Sequence, residues 1–121
     1  MKTVLIIEDN EDILDNTIEI LELANFRTVA ARNGREGIDM ALKNNPDVIL
    51  CDVMMPEVNG YQVFEALRKS PATSNTPFIF VTASVEKKEI EAAMTMGVNA
   101  YLKKPYTSEE LVNAVKSFLI E

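Results

Sequence analysis

Apolar positions along this chain follow two periods. Thr3–Ile7, Val48–Cys51 and Phe78–Val81 are continuous apolar runs of strand length, and Phe26–Ala31 and Val98–Leu102 are shorter, weaker versions. Between them apolar residues recur every three or four positions, as an amphipathic helix requires. Ile13, Leu14, Thr17, Ile18, Leu21 and Ala24 stripe a first helix capped by Asn10 and ending at Asn25. Asn33-Gly34-Arg35-Glu36 reads as a cap with an acid three residues on; Ile38, Ala41 and Leu42 give the second helix its apolar face, and Asn45-Pro46 stops it. Tyr61, Val63, Phe64, Ala66 and Leu67 predict a third helix after Gly60, followed by a polar loop between Ser70 and Pro77. A fourth helix turns Ile90, Ala93 and Met94 inward and ends at Gly97. Thr107-Ser108-Glu109-Glu110 is a capping box, opening a last helix striped by Leu111, Val112, Val115, Phe118 and Leu119.

The order is therefore strand-helix, five times over. Strands that are apolar throughout are buried on both faces, which requires a parallel sheet with helices on each side and right-handed crossovers. The expected fold class is a three-layer α/β/α protein. There is no internal repeat, low-complexity segment or linker, so residues 1–121 are expected to form one domain.

Composition narrows the function. The 121 residues carry a net charge of −7, which argues against nucleic-acid binding, since phosphate neutralisation needs a basic face. No apolar run approaches the roughly 20 residues of a membrane span. The apolar start, Val4–Ile7, meets acids too soon for a signal peptide. Cys51 is alone, so no intrachain disulfide forms; it reads as a small core residue in a cytoplasmic, reducing setting. The absence of histidine removes Ser-His-Asp and Cys-His catalysis, His-ligated zinc and a phosphohistidine on this chain.

What remains lies at the strand ends. Strand one runs into Glu8-Asp9, strand three into Asp52, strand four into Thr82, and strand five into Lys103-Lys104-Pro105. In an open α/β sheet the ligand crevice lies outside the carboxyl ends of the strands. Taken singly, these residues read as turns, caps and solvated charges; together they converge three carboxylates, one hydroxyl and one ammonium. One lysine cannot neutralise three acids. A hard divalent cation with oxygen ligands would, and magnesium, which keeps several waters and favours phosphate oxygens, fits best. Asp52 would then act as a nucleophile forming an acyl phosphate, with Lys104 and Thr82 on the phosphoryl oxygens.

These residues also carry a resemblance. Glu8-Asp9, the run from Asp52 through Pro56 to Gly60, Thr82-Ala83 and Tyr101-Leu102-Lys103-Lys104-Pro105-Tyr106 are similar to the motifs of response-regulator receiver domains of two-component signalling, of the CheY type, over the whole chain. The resemblance implies a flavodoxin-like fold with strand order 2-1-3-4-5 and a cis Lys104-Pro105 bond. It implies that Asp52 accepts phosphoryl from a histidine kinase or histidine phosphotransfer protein. Magnesium would be bound by Glu8 (a slot often held by Asp), Asp9, Asp52 and the backbone carbonyl of Met54. Lys104 rather than Lys103 would be the site lysine, and Thr82 and Tyr101 the switch pair. A partner would read the surface of helix four, strand five and helix five, with Lys87, Lys88, Glu91, Lys103 and Tyr106 as candidate contacts. Met54 and Ser84 would border the path of the hydrolytic water. Such a chain catalyses only its own phosphotransfer and dephosphorylation. Three other readings compete. A haloacid-dehalogenase phosphatase needs a second Asp where Met54 stands. A flavodoxin would not place acids after strand one. A pseudo-receiver, an interaction module that takes no phosphate, remains the alternative.

Overall fold

Each apolar run becomes a strand and each three-to-four-residue stripe a helix. The computed structural model describes residues 1–84 and 86–119. In chain order the elements are β1 (Thr3–Ile7), α1 (Glu11–Leu23), β2 (Arg27–Ala31), α2 (Gly34–Asn44), β3 (Val48–Asp52), α3 (Gly60–Arg68), β4 (Phe78–Thr82), α4 (Lys87–Met96), β5 (Ala100–Lys103) and α5 (Ser108–Lys116). The strands form one parallel sheet in the order β2-β1-β3-β4-β5, the order the resemblance implies.

Alternation along the strands divides the interior in two. Leu5, Ile7, Ile49, Cys51, Phe78 and Phe80 face α2, α3 and α4, where Ala41, Val63, Phe64, Leu67 and Ala93 cover them. Val4, Ile6, Leu50, Ile79, Val81 and Leu102 face α1 and α5, under Leu14, Leu21, Leu111 and Val115. β3 and β4 are buried at every position, as their uninterrupted apolar sequence requires. Phe64, Phe78 and Phe80 meet edge-to-face, with centroids 5.1 to 6.0 Å apart.

Side-chain caps set the helix starts. Asn10 Oδ1 accepts from the Ile13 amide at 3.0 Å and Asn33 Oδ1 from the Glu36 amide at 2.8 Å. Reciprocal capping boxes open α3, through Asn59 and Gln62, and α5, through Thr107 and Glu110. Asn25, Asn45 and Gly97 adopt positive φ (70°, 45° and 102°) where α1, α2 and α4 end. The loop after α3 is anchored by Arg68, which donates to the carbonyls of Thr73 and Thr76 and to Asn99 Oδ1.

Two helix faces differ from expectation. Leu42 is 44% exposed, because α2 meets the sheet through the smaller Gly37 and Ala41, with Ile38 and Met40 at its margins. Met94 is 47% exposed, and Met96 packs inward in its place. The strand boundaries also shift: Phe26 is buried ahead of β2, and β5 begins at Ala100 rather than Val98, although Val98 is buried.

The packing of glycines generates a test. A Cβ on Gly60 would lie 2.6 Å from the Asp52 carbonyl oxygen and 2.9 Å from Val53 Cα, both backbone atoms that cannot yield. The three atoms nearest a Cβ on Gly37 would all belong to the Ile7 side chain, Cδ1 at 2.5 Å, Cγ1 at 2.9 Å and Cγ2 at 3.0 Å. We expect Gly60→Ala to cost about 2–3 kcal/mol in urea unfolding. Gly37→Ala should cost less, about 1 kcal/mol, since helix propensity partly offsets the crowding of the Ile7 side chain. The opposite ranking would contradict this account of α3 seating on β3.

Candidate functional site

Register brings the predicted residues to one end of the sheet. Ile7 pairs with Cys51, Asp52 with Val81, and Thr82 with Lys103, so the carboxyl ends of β1, β3, β4 and β5 lie in line. Alternation then sorts the side chains. Ile6, Leu50 and Leu102 belong to the α1/α5 side, and two residues on from each come Glu8, Asp52 and Lys104. Phe80 and Tyr101 belong to the opposite side, the side to which the same parity assigns Thr82.

Glu8 and Asp52 are buried, at 4% and 6% exposure, and Thr82 at 2%. Lys104 Nζ lies 2.7 Å from Glu8 Oε1 and 3.5 Å from Asp52 Oδ1, while Lys103 is exposed. Glu8 Oε2 also accepts from the Asn10 amide at 3.2 Å. Asp9 is exposed at the rim. One oxygen each from Glu8, Asp9 and Asp52 lie within 4.8 Å of one another. An octahedral divalent ion with ligands at about 2.1 Å sets opposite oxygens about 4.2 Å apart, so this all-oxygen donor set fits such an ion with small side-chain rotations.

The electrostatics follow from burial and charge count. Burial, and next the Glu8 charge, push the Asp52 carboxyl up to about 7, against the opposing pull of Lys104. Burial pulls the Lys104 ammonium down, but its hydrogen bond to Glu8 and the Asp52 charge more than compensate, and the net shift is upward. Beside Asp52 opens a cavity of about 290 Å³ lined by Met54, Thr82, Ala83, Ser84, Glu89 and Lys104. Thr82 Oγ1 accepts from the Ser84 amide at 3.2 Å, and the Thr82 carbonyl from the Lys104 amide at 2.7 Å. Met54, at the cavity mouth, is 76% exposed. Tyr101 is half-buried against the core that contains Phe80. The Lys104-Pro105 bond is cis, as expected.

The loop after Asp52 is held by backbone geometry. The Val58 amide donates to the Pro56 carbonyl at 2.8 Å across Glu57, whose φ is 65°. Val58 in turn fills the space left by Gly34, where a Cβ would lie 2.5 Å from the Val58 carbonyl oxygen. Sequence reasoning missed three features of the site. Glu8, not Asp52, holds the lysine at the shorter distance; the one extra methylene of Glu over Asp was the visible signal. Glu89 lines the cavity from α4. Tyr106, expected on the readout face, is half-buried with its hydroxyl 2.6 Å from Thr17 Oγ1.

A raised carboxyl pKa makes stability depend on pH. An acid protonated more readily in the folded chain than in the unfolded one stabilises the fold below the unfolded value of 3.8. That contribution is lost as pH rises through about 7. At about 1.4 kcal/mol per pKa unit the ceiling is about 4 kcal/mol. Asp52→Asn should therefore be more stable than wild type by about 2–4 kcal/mol at pH 8 in chelator, and nearly equal to it at pH 4. Urea unfolding at both pH values decides; a difference independent of pH would refute the assignment.

Comparison with known proteins bears on this geometry. The family model for the response regulator receiver domain matches residues 4–116. The polar-differentiation response regulator DivK of Brucella anthropi is 35% identical over 98% of this chain and 96% of its own length. Response regulator SaeR of Staphylococcus aureus is 33% identical over 98% of this chain, which spans only 51% of SaeR. Among solved structures, chemotaxis protein CheY4 of Vibrio cholerae superposes with a TM-score of 0.92 at 27% identity, covering 98% of both chains. A response regulator from Chloroflexus aurantiacus gives 0.91 at 32% identity, covering 98% of this chain and 97% of its own. With a fold, a strand order and a sequence match that agree from end to end, this chain belongs to the response regulator receiver domain family of two-component signalling.

Proposed function

We propose that this chain is a phosphoryl-accepting receiver whose acceptor is Asp52. The observation that carries the reading is a buried carboxylate that shares the Lys104 ammonium with Glu8, beside an oxygen-rich cation cradle and a cavity of about 290 Å³. The donor in this reading is a phosphohistidine on a histidine kinase or histidine phosphotransfer protein, a group these 121 residues, without histidine, do not carry themselves.

Magnesium is the cofactor of this reading. Glu8, Asp9, Asp52 and the Met54 carbonyl would hold it, and when bound it would supply positive charge to the carboxylates and to the incoming phosphoryl oxygens. The chain's own residues do the rest. An Asp52 carboxylate oxygen attacks phosphorus in line; the new O–P bond forms as the P–N bond breaks, and the electron pair returns to the donor imidazole. Lys104 pairs with one phosphoryl oxygen and Thr82 donates to another, so positioning and charge account for most of the acceleration. Lys104 must then loosen its 2.7 Å contact with Glu8 to reach the phosphoryl group. Thr82, drawn toward that group, leaves space for Tyr101 on the opposite side of the sheet, and the surface of α4, β5 and α5 changes for a downstream partner to read. Lys87, Lys88, Glu91 and Lys103 are exposed on that surface. The chain catalyses only its own phosphotransfer and dephosphorylation, and a cytoplasmic setting suits the reading. Among the described residues no helix is long and apolar enough to cross a membrane.

Incubation with acetyl phosphate and magnesium, followed by intact-mass measurement, tests the proposal. Wild type should gain one phosphoryl group; Asp52→Asn, or wild type in excess chelator, should gain none. No gain in wild type, with acetyl phosphate or with a kinase, would favour the pseudo-receiver. Met54→Asn should in addition change the lifetime of the phosphoprotein several-fold, because an amide at the cavity mouth can orient a water that a thioether cannot. Equal decay of the two phosphoproteins would refute that role for Met54.

A further inference from the structure

Thr17 and Tyr106 lie outside the acid–lysine set, yet they meet directly behind it. Thr17, on α1, is 2% exposed, and a hydroxyl buried there needs a partner. Its Oγ1 lies 2.7 Å from the Ile13 carbonyl oxygen and 2.6 Å from the Tyr106 phenol. A hydroxyl has one proton to donate. Thr17 gives its proton to the Ile13 carbonyl, which can only accept, so Tyr106 is the donor to Thr17. The bonds run from Tyr106 to Thr17 to Ile13, tying the residue after Pro105 to the backbone of α1 across 89 positions of sequence. Burial raises the phenol above its usual value, which keeps its proton in place for that bond.

The same two hydroxyls border the reacting groups. Thr17 and Tyr106 line, with Glu8 and Asp52, a void of about 10 Å³ floored by Ile6, Leu50 and Val81. That is room for one water molecule at most, and the phenol oxygen keeps acceptor lone pairs for it. Lys104 is thus strung between two anchors. Its amide donates to the Thr82 carbonyl at 2.7 Å, and two residues later the Tyr106 hydroxyl fastens the chain to α1. Its ammonium lies 0.8 Å nearer Glu8 than Asp52, at 2.7 against 3.5 Å, so a small displacement of the loop changes how the charge is shared.

We propose that the Tyr106–Thr17 hydrogen bond positions Lys104 for phosphoryl transfer, holding its loop against α1 so that one ammonium serves both Glu8 and Asp52. Neither residue touches the reacting atoms; both act through Lys104. The inference rests on the reading of Asp52 as phosphoacceptor, and its test separates the two.

Tyr106→Phe removes one oxygen, Thr17→Val removes the hydroxyl and keeps the shape, and Thr17→Ser keeps the hydroxyl. With acetyl phosphate and magnesium, Tyr106→Phe and Thr17→Val should each lower the saturated phosphorylation rate about fivefold or more, with little change in the half-saturating donor concentration. Thr17→Ser should keep the wild-type rate, and the double variant Tyr106→Phe/Thr17→Val should be no slower than the slower single one. A Tyr106→Phe rate within about twofold of wild type, or a serine variant as slow as valine, would overturn the proposal. A second measurement needs no phosphorylation. The ¹⁵Nζ resonance of Lys104 should move in Tyr106→Phe and Thr17→Val and stay in Thr17→Ser. An unmoved resonance in Tyr106→Phe overturns the positioning role. A moved resonance in a protein that never accepts phosphoryl supports the positioning of Lys104 and refutes the phosphoacceptor reading alone.

Discussion

One ammonium shared between two buried carboxylates, with a third at the rim, is the constraint on which this structure depends. Lys104 stands 2.7 Å from Glu8 and 3.5 Å from Asp52, and Asp9 waits exposed at the rim. The pair Glu8–Lys104 balances itself, so the excess charge falls on Asp52, whose carboxyl is pushed up to about 7 by burial and by Glu8. A buried carboxylate in that position is under-compensated, which is the condition under which a cation or a covalent modification finds the most to gain. Stability and reactivity are therefore opposed at Asp52: burial that makes the carboxylate costly to hold also makes the site a place where charge can be offset from outside.

The sheet makes that opposition tolerable by fixing geometry elsewhere. Parallel register aligns four strand ends, and alternation places Glu8, Asp52 and Lys104 on the α1/α5 side while Tyr101 packs on the other. Below the charged groups the interior is apolar and closed by Ile6, Leu50 and Val81. Gly60 brings α3 against the Asp52 carbonyl so closely that no side chain fits, which removes freedom from the Asp52 backbone. The site is thus rigid beneath and open above, as pre-organised charge stabilisation requires.

Much of this was legible in the sequence because strand-level information is local. A run such as Phe78-Ile79-Phe80-Val81 announces burial on both faces, and its end announces where the next polar side chain falls. Caps were equally visible, and the Asn59-Gly60-Tyr61-Gln62 box was present in the sequence, although the helix was expected to begin only after Gly60. Helix faces were less secure. Leu42 and Met94 fit a helical stripe, yet they face solvent, because which side of a helix is buried depends on how closely its neighbour approaches. Gly37 and Ala41 let α2 come close to the sheet, so small residues rather than large ones mark that contact. The Tyr106–Thr17 bond had no local signal at all: its partners are 89 residues apart, and each alone looks ordinary.

The distribution of anchoring among the helices also bears on how a receiver can change shape. α1 is bound to the β5–α5 loop through Thr17 and Tyr106, and α3 and α5 are boxed at their starts. α4 has neither support: its N-cap residue, Glu86, makes no side-chain cap hydrogen bond, and Ala93 is its one fully buried side chain among the described residues. Elements that rearrange come from the low-stability end of a fold, because a switch must move with the limited free energy one ligand or modification supplies. α4 is also the helix that presents Glu89 to the cavity beside Asp52. A dianionic group on Asp52 would repel that carboxylate while pulling on Lys104 and Thr82. The helix that lacks a side-chain cap therefore carries the charge that a phosphoryl group would push, and the loop tied to α1 carries the charge that it would pull.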